Sequence, residues 1–293
     1  MSAKRFSLPD FTLKKKLILI IMFLVLLQNI VLLIFANYQF SQKELKSSVE
    51  HIQNECHLLH NDLKAQYHNV ILCSNELIST INQTQSYYFS NPANSYLKSA
   101  FNYNLHLFSF VDSVVYLTVN DKIVCAGTDS EPELSKIKEE LLDYIPSTGV
   151  PQNQFLNIQK RTYLGTDSPV LTFSKRVINI NTGKTLGYLF LNTKAATISS
   201  LFDNLNQNYY IINSKQGIVV ANSGSTALRQ ADPDSYSFIY SAKTGSQVIN
   251  IDKEKHMLTW TPTGFLDYIL VNETPLENLR STFAINMFLL VLI

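Results

Sequence analysis

The chain has 293 residues, 24 Lys and Arg against 23 Asp and Glu, a formal charge of +1 and a mean hydropathy of +0.02. So even a balance gives no electrostatic reason to expect nucleic acid, whose binding rests on Lys and Arg clustered on one face. The three cysteines, Cys56, Cys73 and Cys125, are too few for a disulfide framework or a zinc site of CxxC pairs, and read as small buried apolar side chains.

The first element is the apolar run Leu17 to Phe35, nineteen residues without a formal charge, long enough to cross a bilayer core of about 30 Å. Lys14, Lys15 and Lys16 precede it, with Lys4 and Arg5 further out. A basic excess marks the cytoplasmic flank, so residues 1–16 are expected inside the cell. The apolar run is longer than a signal-peptide core, and Ile34-Phe35-Ala36 is a poor cleavage site, so residues 17–35 read as an uncleaved transmembrane helix. Phe283 to Ile293 is a second apolar run of about half a span, and residues 281–293 are expected to begin a second membrane helix that the chain breaks off. Topology then places residues 36–282 outside the plasma membrane.

From Leu45 the residues Val49, Ile52, Cys56, Leu59 and Leu63, then Gln66, Val70, Cys73, Leu77 and Thr80, recur in alternating steps of four and three. That is a heptad seam, and no Pro or Gly interrupts Ala36 to Ser90, so residues 36–90 read as a long stalk helix continuing from the anchor. The seam suits a parallel homodimer, and equally suits packing against the chain's own body.

After Asn91-Pro92 the pattern turns to period two. Ser113 to Val119 and Lys122 to Ala126, joined by Asn120-Asp121, read as a hairpin; a polar helix follows at Glu133 to Tyr144. Val170 to Ile180 and Thr185 to Leu191 read as strands around the turn Asn181-Thr-Gly183. Asn208 to Asn213 and Ile218 to Asn222 repeat the hairpin about a hundred residues later, a sign of duplication. Further strands are expected at Ser235 to Ser241, Gly245 to Ile251, His256 to Thr261 and Phe265 to Asn272, with Glu273 to Arg280 turning helical.

Catalysis has no visible home here. There is no G-x-S-x-G elbow, no H-E-x-x-H pair and no phosphate-cradling G-x-x-x-x-G-K-[ST] loop. Cys56 and His60 share a helix face, but two ligands rarely complete a tetrahedral site, so neither a metal nor a cofactor is expected.

A membrane helix running into a stalk, two hairpin-led α/β modules and a return to the membrane resemble the double Cache sensor domain, a PAS-like extracellular module of bacterial receptors. Gly187 to Asn192 followed by helical Thr193 to Phe202 looks like the end of that family's membrane-distal module, and Tyr209 to Ala221 like the opening of its proximal one. Phe265 to Val271 and Thr274 to Leu279 stand where its last strand returns to the bilayer. The opening Leu13-Lys-Lys-Lys-Leu-Ile-Leu-Ile is similar to YesM-type sensor histidine kinases of two-component systems.

The resemblance implies an α+β fold with antiparallel sheets, residues 91–200 forming the membrane-distal module and 201–280 the membrane-proximal one. It implies a HAMP linker and a kinase in the parent protein beyond Ile293, and a small ligand, whether sugar, amino acid or peptide, bound in the distal module. The same ectodomain also fronts chemoreceptors, diguanylate cyclases and membrane-bound transcription regulators, and an anchored adhesion module is the rival class. Some double Cache domains carry an amino-acid signature, Arg-x-Trp-Tyr with an aspartate downstream, in which the arginine clamps the carboxylate and the acid meets the ammonium. Arg161-Thr-Tyr163-Leu164 and Asp167 echo it, with Tyr for Trp and Leu for Tyr. The expected ligand-binding residues are therefore Tyr116, Arg161, Tyr163, Asp167 and Phe173.

Overall fold

The structure is a computed structural model that describes residues 13–87, 92–141, 154–165, 168–203, 205, 208–213, 217–221, 237–240, 243–251, 253–264 and 266–277. Residues 1–12, Asp167 and the expected second membrane run at 281–293 lie outside the described residues.

Helix α1 (Leu13–Tyr87) runs 75 residues without a break, as a sequence free of Pro and Gly allows. It holds the one stretch among the described residues long and apolar enough to cross a membrane, and none of that window is buried.

Residues 52–275 form a compact unit. After α1 come α2 (Pro92–Leu107), β1 (Ser113–Thr118), β2 (Ile123–Ala126), α3 (Leu134–Leu141), β3 (Gln154–Lys160), β4 (Pro169–Ile178), β5 (Thr185–Lys194) and α4 (Ala195–Ser199). The second half adds β6 (Asn208–Asn213), β7 (Gly217–Ala221), α5 (Ser237–Tyr240), β8 (Gly245–Ile251), β9 (Glu254–Pro262) and β10 (Tyr268–Pro275). The strands make two antiparallel five-stranded sheets, ordered β2-β1-β5-β4-β3 and β7-β6-β10-β9-β8. The two orders are the same path through successive strands, so the duplication visible in the hairpins extends to each whole sheet. The fold is α+β, as the sequence predicts.

Alternation along the strands assigns each sheet two faces. On the first sheet, Phe155 and Phe173 pair and meet edge to face at 4.7 Å, and Phe155 meets Tyr67 of α1 at 5.7 Å, so this face looks at α1. The opposite face gathers Val115, Leu117, Val170 and Phe190 with Ile137 and Leu141 of α3. On the second sheet, the Tyr209 hydroxyl donates to Glu55 of α1 at 2.7 Å, while Tyr210, Ile212, Leu258, Trp260 and Val271 form a core on the other face. One helix therefore backs both sheets, its residues near Glu55 against the second and its residues from Tyr67 to Asn82 against the first. Asn82 marks the far end, donating to the Ile178 carbonyl and accepting from the Ile180 amide, each at 3.1 Å.

The heptad seam is consumed inside the molecule. Ile52, Cys56, Leu59, Leu63, Val70, Cys73 and Leu77 are at most 6% exposed. Tyr67 and Ile81, rather than Gln66 and Thr80, take the remaining inward positions. A helix facing a sheet buries a wider stripe than a two-helix seam, and the larger apolar neighbour fills it.

The structure departs from the sequence reading in four elements. Pro92–Leu107 is a helix, with Leu97, Phe101 and Asn104 on its buried side at steps of four and three. Gln154–Lys160 is a strand placed in a stretch without an assigned element; Leu156 and Ile158 are its inward residues. Ser237–Tyr240, expected within a strand, is a helical turn. Phe238, Ile239 and Tyr240 all pack on one cluster of the second sheet, which consecutive strand residues, pointing to opposite faces, could not do. The last strand also runs on to Pro275, so the helical onset expected at Glu273 comes later.

Candidate ligand-binding site

The chemistry of the first sheet lies on the face away from α1, where Asn192 of β5 stands between Ser113 of β1 and Thr172 of β4 in register. Asn192 is fully buried. Its side-chain carbonyl accepts from the hydroxyls of Tyr163 and Thr172, both at 2.9 Å, and its amide donates to Ser113 Oγ at 3.2 Å. An amide carries an acceptor oxygen and a donor nitrogen side by side, so here it joins three elements at one point.

Tyr163 reaches Asn192 from a tight 3-10 turn, Thr162–Leu164, between β3 and β4. Gly165 ends the turn with φ at 68°, the left-handed region that favours glycine, and a Cβ there would run into Ser130 Oγ. From α3, one Glu140 carboxylate oxygen accepts from the Thr162 amide at 2.8 Å and from the Thr162 hydroxyl. The turn is thus held at both ends.

Between this turn, β1, β5 and the loop after β2 lies an enclosed cavity of about 10 Å³, the room of one water. Ser113, Asn192 and Lys194 line it from the strands, Leu164 from the turn, and Thr128 and Asp129 from the loop. Asp112, also at its wall, is occupied: its carboxylate accepts from the Lys194 amide at 2.7 Å and from the Thr197 hydroxyl at 2.8 Å, capping the start of α4. The wall therefore offers hydroxyl and amide groups, an ammonium at Lys194 and an exposed carboxylate at Asp129.

The five expected site residues divide. Tyr163 is 1% exposed and belongs to the Asn192 cluster. Burial pushes its phenol well above the usual range, with the nearby Arg161 charge opposing that rise. Arg161 is equally buried, and its charge acts on Tyr268 of the second sheet as well as on Tyr163. Tyr116 and Phe173 lie on the opposite face, towards α1; the Tyr116 hydroxyl donates to the Leu186 carbonyl at 3.2 Å. Asp167 is outside the described residues. Sequence reasoning passes over Asn192, Thr172, Ser113 and Lys194, whose only signal is a polar side chain interrupting an otherwise apolar strand.

The two sheets are joined by a bond from a backbone amide to a side-chain hydroxyl. The register of β3 against β4 shifts between Leu156 and Gln159. That irregularity frees the Ile158 amide to donate to the Tyr268 hydroxyl at 2.7 Å. The second sheet carries its own polar group on the face away from α1, where Glu273 lies 3.1 Å from both His256 Nδ1 and the Tyr210 hydroxyl.

No known family model and no curated protein sequence matches this chain. Solved structures do. The ligand-binding domain of the Campylobacter jejuni chemoreceptor Tlp3 in complex with L-norvaline matches at a TM-score of 0.62 and 13% identity, over 81% of this chain and 94% of that one. The extracellular domain of the histidine-kinase candidate rpHK1S-Z16 matches at 0.62 and 12%, over 79% and 95%. The ligand-binding domain of the Pseudomonas fluorescens chemoreceptor CtaA in complex with L-isoleucine matches at 0.56 and 10%, over 81% and 96%. Identities this low establish architecture rather than ligand. A long N-terminal helix backing two antiparallel sheets, shared with these receptor domains along nearly the domains' whole length, gives this chain the fold of a Cache-type sensor domain.

Proposed function

We propose that the chain is the extracellular ligand-sensing part of a bacterial membrane receptor, and that its first module binds a small zwitterion of the amino-acid class at the Asn192 cavity. The observation that carries the reading is a fully buried hydroxyl and amide network opening on an enclosed cavity that is edged by a cation and an anion. Buried polar groups cost stability unless paired, and their cost is repaid where a polar ligand uses them. Lys194 meets the ligand carboxylate, Asp129 its ammonium, and Tyr163 and Asn192 its remaining polar atoms. Arg161, whose charge reaches Tyr163, biases the same region towards an anion. The solved neighbours complexed with L-norvaline and L-isoleucine support this ligand class.

An amino acid is far larger than a cavity of about 10 Å³. Entry displaces the Thr162–Leu164 turn, and the bound and empty states differ in where that turn rests. A ligand biases two states only by its differential affinity for them. The displacement travels along β3 to the Ile158–Tyr268 bond and so to the second sheet and α1. Residues 91–200 are the membrane-distal module and 201–280 the proximal one. Residues 17–35 anchor the chain with the N-terminus in the cytoplasm, on the strength of Lys14 to Lys16. We favour a two-component histidine kinase as the output, in keeping with the kinase-type neighbour and the YesM-like opening.

Thermal unfolding of the purified chain with L-isoleucine, L-valine and glucose as probes tests this reading. An amino acid at a hundred times its dissociation constant adds about 2.7 kcal/mol of stability, and Lys194→Met abolishes the shift. A shift with glucose alone, or with none of the probes, contradicts it.

A further inference from the structure

The duplication of the two sheets reaches single residues at the centre of each. Asn192 stands third from the end of β5 and pairs with Ser113, the first residue of β1; Glu273 stands third from the end of β10 and pairs with Asn208, the first residue of β6. Both side chains lie on the sheet face turned away from α1, so the second sheet holds a carboxylate where the first holds its amide. A tyrosine hydroxyl serves each, Tyr163 donating to Asn192 and Tyr210 to Glu273 at 3.1 Å. Beyond that the two clusters differ in charge. His256, diagonal to Glu273 across the ladder of β9 and β10 and 8% exposed, sets its Nδ1 3.1 Å from Glu273 Oε1 without forming a hydrogen bond, and its Nε2 lies 3.7 Å from Glu254. Among the described residues no Lys or Arg pairs with Glu273, whose side chain is 14% exposed. A mostly buried carboxylate facing a ring nitrogen that makes no hydrogen bond is costly unless a donor comes between them.

We propose that Glu273, His256 and Tyr210 form a second ligand-binding site, on the second sheet, for a primary amine that carries no carboxylate. An alkylammonium has three donors and no acceptor. With the ring proton on Nε2, towards Glu254, His256 Nδ1 is an acceptor, so one ammonium gives a donor to Nδ1 and a charge-assisted bond to the Glu273 carboxylate. Tyr210 holds the other carboxylate oxygen and so fixes which way Oε1 points. Ile249, opposite His256 on β8 and partly buried, and Leu258, opposite Glu273, give the alkyl chain of the ligand an apolar wall. A carboxylate on the ligand meets Glu273 and Glu254, so this site rejects the zwitterions proposed for the first sheet. Its location leans on the reading of Asn192 as a ligand-binding residue; its ligand and the side chains that hold it do not.

Titration of the purified chain with propylamine, with propanol as its uncharged counterpart and with L-isoleucine, read by calorimetry and by amide hydrogen exchange, tests it. Propylamine is expected to bind and to slow exchange in peptides covering 208–210, 256–258 and 271–274, and propanol to do neither. Glu273→Gln, which keeps the shape and removes the charge, is expected to weaken propylamine binding by about ten-fold or more. His256→Leu is expected to do the same, while His256→Asn, whose side-chain oxygen stands in for Nδ1, keeps the affinity within about three-fold; a merely structural histidine shows no such split. Propylamine that binds Glu273→Gln unchanged, that slows exchange only in 127–130, 161–165 and 192–194, or that does not bind at all overturns the proposal. Because a substituted chain can unfold, the exchange pattern of the unsubstituted chain decides by itself whether the amine rests on the second sheet. L-Isoleucine separates the two readings: slowed exchange in the first sheet with L-isoleucine and none in the second with propylamine rejects this site alone, and the reverse rejects the first site alone.

Discussion

Asn192 is the residue on which the first sheet's polar chemistry turns, because it bonds Tyr163, Thr172 and Ser113 together. Replacing it with Ala leaves buried hydroxyls without their partner, and each such group costs about 1–3 kcal/mol. Asn192→Ala is therefore expected to lower unfolding stability by about 3 kcal/mol in denaturant melts and to abolish ligand-induced stabilisation. Tyr163→Phe, which removes one donor and keeps the ring, is expected to cost about 1 kcal/mol. Cys56 and Cys73 make a prediction of a different kind. Burial pushes both thiols up to about 12 in the folded state, ahead of the smaller push from Glu55 and Glu76 respectively. From about pH 9 upward the unfolded chain releases these protons while the folded chain keeps them, so stability is full below that range and falls as pH rises through it. Two thiols contribute a fall of about 2.7 kcal/mol per pH unit. The variant with both replaced by Ala is expected to show a correspondingly shallower alkaline limb, and an unchanged limb contradicts their burial. The inert character of these thiols was legible, because two cysteines in an apolar stripe have no nearby cation to activate them. The Asn192 cluster was not. Which polar residue of a strand faces a core depends on register between strands far apart in sequence, and no local pattern encodes that.

At the scale of elements, α1 is both strut and common wall. Leu63 and Leu77 are fully buried, so Leu63→Ala and Leu77→Ala are each expected to cost about 2–5 kcal/mol. Tyr268→Phe removes the acceptor of the Ile158 amide, and is expected to cost about 1–3 kcal/mol. It is also expected to weaken the response of the second half to ligand, read as a smaller difference in proteolysis of residues 254–275 with and without L-isoleucine. The strands β1, β4, β5, β6 and β9 are readable as short β-branched and aromatic runs, and each buries residues on both of its faces. Pro92–Leu107 escapes such reading since its Asn and Tyr residues favour no single structure, and only the spacing of Leu97, Phe101 and Asn104 betrays the helix. Ser237–Tyr240 escapes it for the opposite reason. An aromatic and β-branched run has every local mark of a strand, and tertiary packing on Trp260 overrides it.

For the whole molecule, a single helix backs two like sheets, so any change in one sheet has a rigid element through which to bias the other. In the proposed function the first sheet receives the ligand, and α1 with Tyr268 transmits the change. The fold class and the long apolar helix were legible because hydropathy and duplication act over tens of residues; the place of the Asn192 cluster within its sheet was not, because it rests on the turn at Thr162–Leu164 and its clasp by Glu140. Amide hydrogen exchange across the whole chain, with and without L-isoleucine, tests the central claim most directly. The account predicts that added ligand slows exchange in peptides covering 127–130, 161–165 and 192–194, and that Lys194→Met removes the effect. Slowed exchange confined to the second sheet around Tyr210 and Glu273, or no change in any peptide at saturating amino acid, contradicts it.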